Sequence, residues 1–333
     1  MTMSEYIGRL TRAGAALTVA LGLLLSLATA LAKAQSPGYS AVITELHQRL
    51  GNVEVRRAGT SEWRAAAPLL ALYPGDTIRV TQDASIVVVL VLAKPSGTIT
   101  IDAAASPFTV PPLPPPEGAL QRGVALLRRS LSALVSIRQD LSLLRLGTRG
   151  ERKFPVIVSP RNGPVLPGRL EIEWLGPPEA RYGIKILTLS GSSLHSRSLE
   201  GLVFVYPSDG PPLTFGVRYR IQVRTGNLPP DEAWFEISEP ALVETLRRDM
   251  AELKEALGLQ TPRTTLALVS ASYLADRGLL HDARRTIVAA VEVDSDEPSL
   301  YMLLGSVYQR LGLAEEAVQS FEKAASLAKR AGR

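Results

Sequence analysis

Leu69-Leu70-Ala71-Leu72-Tyr73-Pro74-Gly75-Asp76-Thr77-Ile78-Arg79-Val80, followed by Ile86-Val87-Val88-Val89-Leu90-Val91-Leu92, carries the clearest structural signal in the chain. Pro74-Gly75 is a turn dipeptide, because proline presets φ at one position and glycine accepts positive φ at the next. Asp76 can close that turn by accepting backbone amides on its short side chain. Thr77, Ile78, Val80 and the valine-rich run are β-branched, which suits a pleated sheet better than a helix. Uninterrupted apolar residues from Ile86 to Leu92 predict a strand covered on both faces. One hairpin of any β domain would satisfy the same pattern.

Working outward, Val53 and Val55 alternate with polar neighbours as a half-exposed strand does, and Thr98-Ile99-Thr100-Ile101-Asp102 alternates again as a last strand. Val42, Leu46 and Leu50 fall four apart and read as a short lead-in helix. Trp63 sits in a polar turn region and reads as a core plug, with a ligand platform as the alternative. The order Gly51-Asn52-Val53-Glu54-Val55, Trp63, Gly75-Asp76-x-Ile78-x-Val80, apolar strand, Ser106-Pro107-Phe108-Thr109-Val110 resembles the FecR domain, a β module of the bacterial cell envelope. The resemblance covers residues 48–110, within a module assigned to 41–110. It implies structural roles for Trp63, Gly75, Asp76 and Ile78, and an envelope ligand or partner for the module.

Toward the N-terminus, Arg9 and Arg12 precede an uncharged Leu/Ala-rich run from Ala13 to Ala32, and Ala32-Lys33-Ala34 offers small residues for a cut before Gln35. This is the plan of a secretory signal peptide over residues 1–34 and places the protein in the periplasm. An uncleaved inner-membrane anchor facing the periplasm is the alternative, since the run can just span a bilayer. FecR-type regulators carry a cytoplasmic anti-sigma region before their membrane helix. The short stretch before Ala13 has no room for one, so direct sigma-factor control is not expected here.

Toward the C-terminus, residues 111–153 open with Pro111, Pro112, Pro114, Pro115 and Pro116, a stiff extended linker, an SH3-type ligand being less apt in an exported bacterial protein. Leu120, Val124, Leu127, Leu131, Leu134 and Leu141 then repeat at helical spacing, interrupted by Arg138. Eight basic residues stand against three acidic ones between Glu117 and Lys153. Three readings stay open: a helix packed on a neighbouring domain, a surface (Arg128, Arg129, Arg138) for anionic lipid, cell wall or an acidic partner, and self-association through the leucine seam. Gly147 and Gly150 are stop signals.

Residues 154–238 hold strand-like runs at Val156–Val158, Leu170–Trp174, Tyr182–Ile186, Leu202–Tyr206 and Arg218–Val223, separated by Pro/Gly/Ser turns at sandwich spacing. Leu213, Tyr219, Ile221 and Val223 are similar to the fibronectin type III pattern. That likeness implies a core position for Trp174 and a structural, backbone-bonding Tyr219; an Ig-like sandwich fits equally. In residues 239–333, Leu242, Leu246, Met250, Leu253 and Leu257 mark a helix from Pro240 to Gly258. A 34-residue period follows, matching Ala271, Leu274, Gly278, Ala283, Ile287 and Ala290 to Gly305, Tyr308, Gly312, Ala317, Phe321 and Ala324. With Tyr301 and Leu304, the second copy resembles a tetratricopeptide repeat, which implies protein docking. The first copy departs from the pattern at Ala267 and Ser270.

Cysteine is absent from the 333 residues, which excludes disulfides, thiol catalysis and thiolate metal sites. A net charge of +5, with acidic and basic residues near parity, is too mild to argue for nucleic acid, and none is expected. His47, His195 and His281 lie in separate segments without metal-type spacing and read as ordinary surface residues. No P-loop, G-x-S-x-G or G-x-G-x-x-G is present. The expectation is a multi-domain α+β protein without cofactor or catalytic site: a FecR-like module, an antiparallel sandwich and C-terminal helical hairpins. It would act as a non-enzymatic envelope scaffold whose repeats dock a protein. A sensory or regulatory subunit, or a peptidoglycan or glycan binder, is the alternative.

Overall fold

The computed structural model describes residues 38–48, 51–91, 97–112, 121–141 and 154–331. The N-terminal segment expected to be an export signal, the proline run from 113 and the glycines at 147 and 150 lie outside these residues, as do Leu50, Leu92 and Leu120.

β1 (Ala41–Gln48), β4 (Ala71–Leu72), β6 (Ala84–Leu90) and β7 (Thr98–Asp102) make an antiparallel sheet in the order β4-β1-β6-β7. β2 (Val53–Arg56), β3 (Trp63–Ala65), β5 (Thr77–Val80) and β8 (Phe108–Thr109) make a second, in the order β3-β2-β5-β8. Ile43, Val55, Ile78, Ile86, Val88 and Ile101 share the interior between them. The turn before β5 forms as its residues dictate. Gly75 takes a φ of 83°, and buried Asp76 accepts the Tyr73 and Ala58 amides at 2.9 and 3.0 Å while pairing with Arg57.

Two expectations need correction here. Residues 41–48 are strand, not helix. Val42, Ile43 and Thr44 are β-branched, both faces of β1 are buried, and a bulge between Ile43 and Glu45 shifts the pleat, so the four-residue spacing of Val42 and Leu46 was coincidental. Trp63 is not a core plug. It lies partly exposed, with the guanidinium groups of Arg56 and Arg79 at 4.9 and 4.3 Å from its ring.

The second β domain pairs β10 (Gly163–Val165), β16 (Asp231–Ile237), β15 (Arg218–Thr225), β12 (Arg181–Thr188) and β13 (Ser193–Glu200) in that order, against β14 (Val203–Val205), β11 (Glu171–Leu175) and β9 (Val156–Ser159). All pairings are antiparallel except β10 with β16. Trp174, Tyr182, Phe204 and Phe235 fill the space between the sheets. The Tyr219 hydroxyl accepts the Thr214 amide at 2.8 Å, tying the corner before β15 to backbone.

Among the described residues there are six helices: α1 (Gln121–Leu141), α2 (Pro240–Leu257), α3 (Arg263–Asp276), α4 (Leu280–Val293), α5 (Pro298–Arg310) and α6 (Ala314–Ala331). Pro240 stands in the first turn of α2, where no amide is needed, and Gly258 ends it. α3–α4 and α5–α6 are antiparallel hairpins, turned at Gly278 and Gly312. α1 lies against α2, α3 and α5. From Ser40 onward the described residues form one compact unit. Antiparallel sheets thus precede a helical C-terminal region.

Candidate docking hub and its interfaces

The hairpins are held by the residues that the 34-residue period singled out. Gly305 faces Phe321 so closely that a Cβ added there would stand 2.6 Å from the ring. Ala317 and Ala324 are buried beside them, and Leu304 is buried on α5. Tyr308 reaches back to the first hairpin, accepting from Arg284 Nε at 3.2 Å. Tyr301 stays partly exposed, its hydroxyl donating to the Ser295 carbonyl and its ring under Lys323.

Both β domains are fastened to these helices. On one side β1 lies against α3, α5 and α6, which explains why Val42, Val87 and Val89 are buried although they do not belong to the β interior. Glu45 accepts the Thr265 amide and hydroxyl at 2.8 and 2.5 Å. Glu297, the cap of α5, accepts the Leu46 amide at 3.0 Å and the Ser299 amide at 2.9 Å. Burial pushes the Glu297 carboxyl up to about 7, against the pull of those amides. His47 is raised by its bond to Glu45, with burial opposing and Glu297 assisting. The amide of Gly97 adds a bond to the Ala256 carbonyl at the end of α2.

On the other side the first turn of α4 meets the sandwich. Arg284 forks onto both oxygens of Glu173 at 2.9 and 2.7 Å. Burial works against its charge, and Glu173 with Tyr308 more than offsets that. Asp282 accepts the Leu166 amide at 2.9 Å, and burial raises its carboxyl. His281 Nδ1 stands 2.6 Å from Ser159 Oγ. In an open cleft that pair could form an activated nucleophile. Here Ser159 and His281 are 0% and 4% exposed, so no substrate can approach. Burial, then Arg285 and Arg284, pushes the imidazole down to about 4 and keeps it neutral. His281 is therefore buried, not the surface residue expected, whereas His47 is partly exposed and His195 packs against Phe204 at a tilt and against Tyr206 edge-on.

α1 sits in the third interface, its Leu127, Leu131, Leu134 and Ile137 buried. Asp249 on α2, 1% exposed, accepts from Arg122, Tyr273 and Arg277 together. Burial alone would raise its carboxyl, but the bonds from Tyr273 and Arg122 and the two positive charges outweigh it and hold the pKa low. The basic residues of α1 are in part engaged internally. Arg129 pairs with Asp276 at 2.6 Å, and half-buried Arg138 donates to the Pro68 carbonyl at 3.3 Å, its pKa lowered by burial and by Arg57. Arg128 is exposed beside them.

Asp249, Arg284 and Glu297 were not singled out by sequence. Their partners lie far along the chain, and only the apolar residues around them gave a periodic signal. Among the described residues no group of acidic or histidine side chains is arranged to hold a metal ion, and no helix is long and apolar enough to cross a membrane.

These features define a protein in which two β domains are gathered on helical hairpins by buried polar contacts. The tetratricopeptide repeat family matches residues 298–330, which are α5 and nearly all of α6. Repeats of this kind generally mediate protein–protein interaction. Comparison with curated proteins gives no match.

Proposed function

We propose that the protein is an exported, non-enzymatic scaffold of the bacterial cell envelope, docking a protein partner through its helical repeats. The tetratricopeptide repeat at 298–330, in a set of helices that is fastened to both β domains through Arg284 and Glu297, carries this reading. The FecR-like order of residues in the first module and the signal-peptide plan at the N-terminus support export and an envelope ligand or partner. A sensory role is the second reading. It is favoured by the direct bonds from β1 to Thr265 and Glu297, through which a ligand on the first module would act on the repeats.

The test is co-purification from envelope fractions with the full chain and with Gly305→Leu, using the exposed-site change Gln319→Ala as control. A protein retained by the parent and control but lost with Gly305→Leu is expected. Equal retention by all three would remove the repeats as the docking element. Intact mass of the exported protein, expected to begin at Gln35, tests localisation in the same preparation; a full-length product in washed inner membranes overturns it.

A further inference from the structure

The face of the hairpins formed by α3 and α5 is occupied by another part of the same chain. α1 lies against both helices, and Ser272 of α3 donates to the Ser130 carbonyl of α1 at 2.8 Å. Its apolar seam, Leu127, Leu131, Leu134 and Ile137, falls at spacings of four, three and three, so one stripe of α1 is buried. Charge is complementary on α3 and on α2 beside it. Arg122 faces Asp249 and Glu252 of α2, and Arg129 faces Asp276 of α3.

The two halves of α1 are held differently. At its start, Gly123 approaches the backbone of α2 so closely that an added Cβ would lie 2.9 Å from the Glu252 carbonyl oxygen, and buried Asp249 anchors Arg122. Further along, Arg129 is 60% exposed against 25% for its partner Asp276, so this pair lies at the rim of the contact and holds less firmly than buried Asp249 and its donors. A cleft of about 370 Å³ remains there between Ser136 and Ile137 of α1, Asp276 of α3, and Leu303, Ser306 and Gln309 of α5. The second half of α1 rests mainly on its apolar seam, to which Arg138 adds its bond to the Pro68 carbonyl at 3.3 Å, and a helix with the same seam offers the same apolar contact.

We propose that the α3–α5 face is a receptor for a basic amphipathic helix, with α1 as its resident occupant. A partner protein docks by presenting a helix of the same leucine-and-arginine pattern, which displaces α1 from its second half first. This deepens the scaffold reading and rests on it for the existence of a partner. The receptor itself can be examined without one.

The probe is a labelled synthetic peptide of residues 121–141, titrated into the full chain. The parent, its receptor occupied, should bind it poorly. R122E/R129E weakens the resident helix while leaving the receptor face intact, so it should bind the peptide at least about tenfold more tightly and show faster hydrogen exchange across 121–141. The peptide carrying the same two reversals should not bind. Faster exchange without gain in peptide affinity overturns the receptor, and unchanged exchange overturns the charge latch. Should the double reversal fail to fold, Leu134→Ser serves as the milder loosening, with the same outcomes deciding. Peptide capture without any envelope protein lost in Gly305→Leu would leave the receptor standing and remove the scaffold reading; the reverse result would do the opposite.

Discussion

At the scale of single residues, the buried carboxylates decide how the parts hold together. Asp249 gathers a tyrosine and two arginines from α1 and α3 onto α2, so Asp249→Asn leaves buried donors with a neutral acceptor. Breaking a buried pair costs about 3–5 kcal/mol; because Arg122 is 52% exposed and can turn to water, the lower end applies, about 3 kcal/mol. Denaturant unfolding of both proteins measures it. Glu297 and His47 give a pH dependence of defined sign. An acid whose folded pKa lies above its ordinary value contributes stability at low pH and loses it as pH climbs through the folded value. Glu297, raised to about 7, does this, and a raised histidine loses its contribution in the same direction. Glu45 and His47 on β1, Asp294 after α4 and Glu297 at the head of α5 make the cluster net negative once all are ionised. The contact of β1 with α5 should therefore lose stability as pH climbs from the ordinary carboxylate range to about 7, with His47 continuing the loss above its ordinary value. Exchange of the Leu46 amide, corrected for its intrinsic rate, should show that loosening, and Glu297→Gln should flatten most of it.

At the scale of elements, the second hairpin depends on one close approach. Gly305→Leu drives new methylenes into the Phe321 ring, at a cost of about 1–3 kcal/mol. Limited proteolysis should then cut within 298–331 while Gln319→Ala stays resistant. The elements also show what a sequence reader can reach. α2 was legible from Pro240 to Gly258, because a leucine stripe, a proline at its start and a glycine at its end agreed. The same holds for β11, β12, β14 and β15, whose apolar residues largely alternate, and for β9, a short continuous apolar run. β13, Ser193–Glu200, was not legible, since it is a polar edge strand with little to bury. β1 failed for the opposite reason: both of its faces are covered, so no alternation survives. The hub contacts were invisible because Glu173 and Arg284 stand 111 residues apart, and no local pattern links them. Trp63 misled because an indole suits a pair of guanidinium groups as well as a core.

At the scale of the whole molecule, the helices act as a clasp between two independently cored β domains. Arg284→Ala leaves Glu173 without its fork and frees the sandwich from α4. Glu173 keeps 27% of its side chain exposed, so the loss should be about 2 kcal/mol, less than for a fully buried pair. Small-angle scattering should show an expanded particle, while near-ultraviolet dichroism from Trp174 stays unchanged. Unaltered scattering would mean that Asp282 and the Ser159–His281 contact suffice without the ion pair.

The place of β1 has a further consequence for how the chain is made. Its outward groups wait for residues that are synthesised last: Leu46 is bonded to Glu297, 251 positions later, and Glu45 to Thr265, 220 positions later. Chains emerge from their N-terminal end at roughly 5–20 residues per second, and such distant pairings form slowly. For much of that interval Val42, Val87 and Val89 form an open apolar strip on a finished sheet, the kind of surface that chaperones shield. Nascent chains arrested before α3 should therefore capture holdase chaperones through this strip, and chains released beyond α5 should let them go.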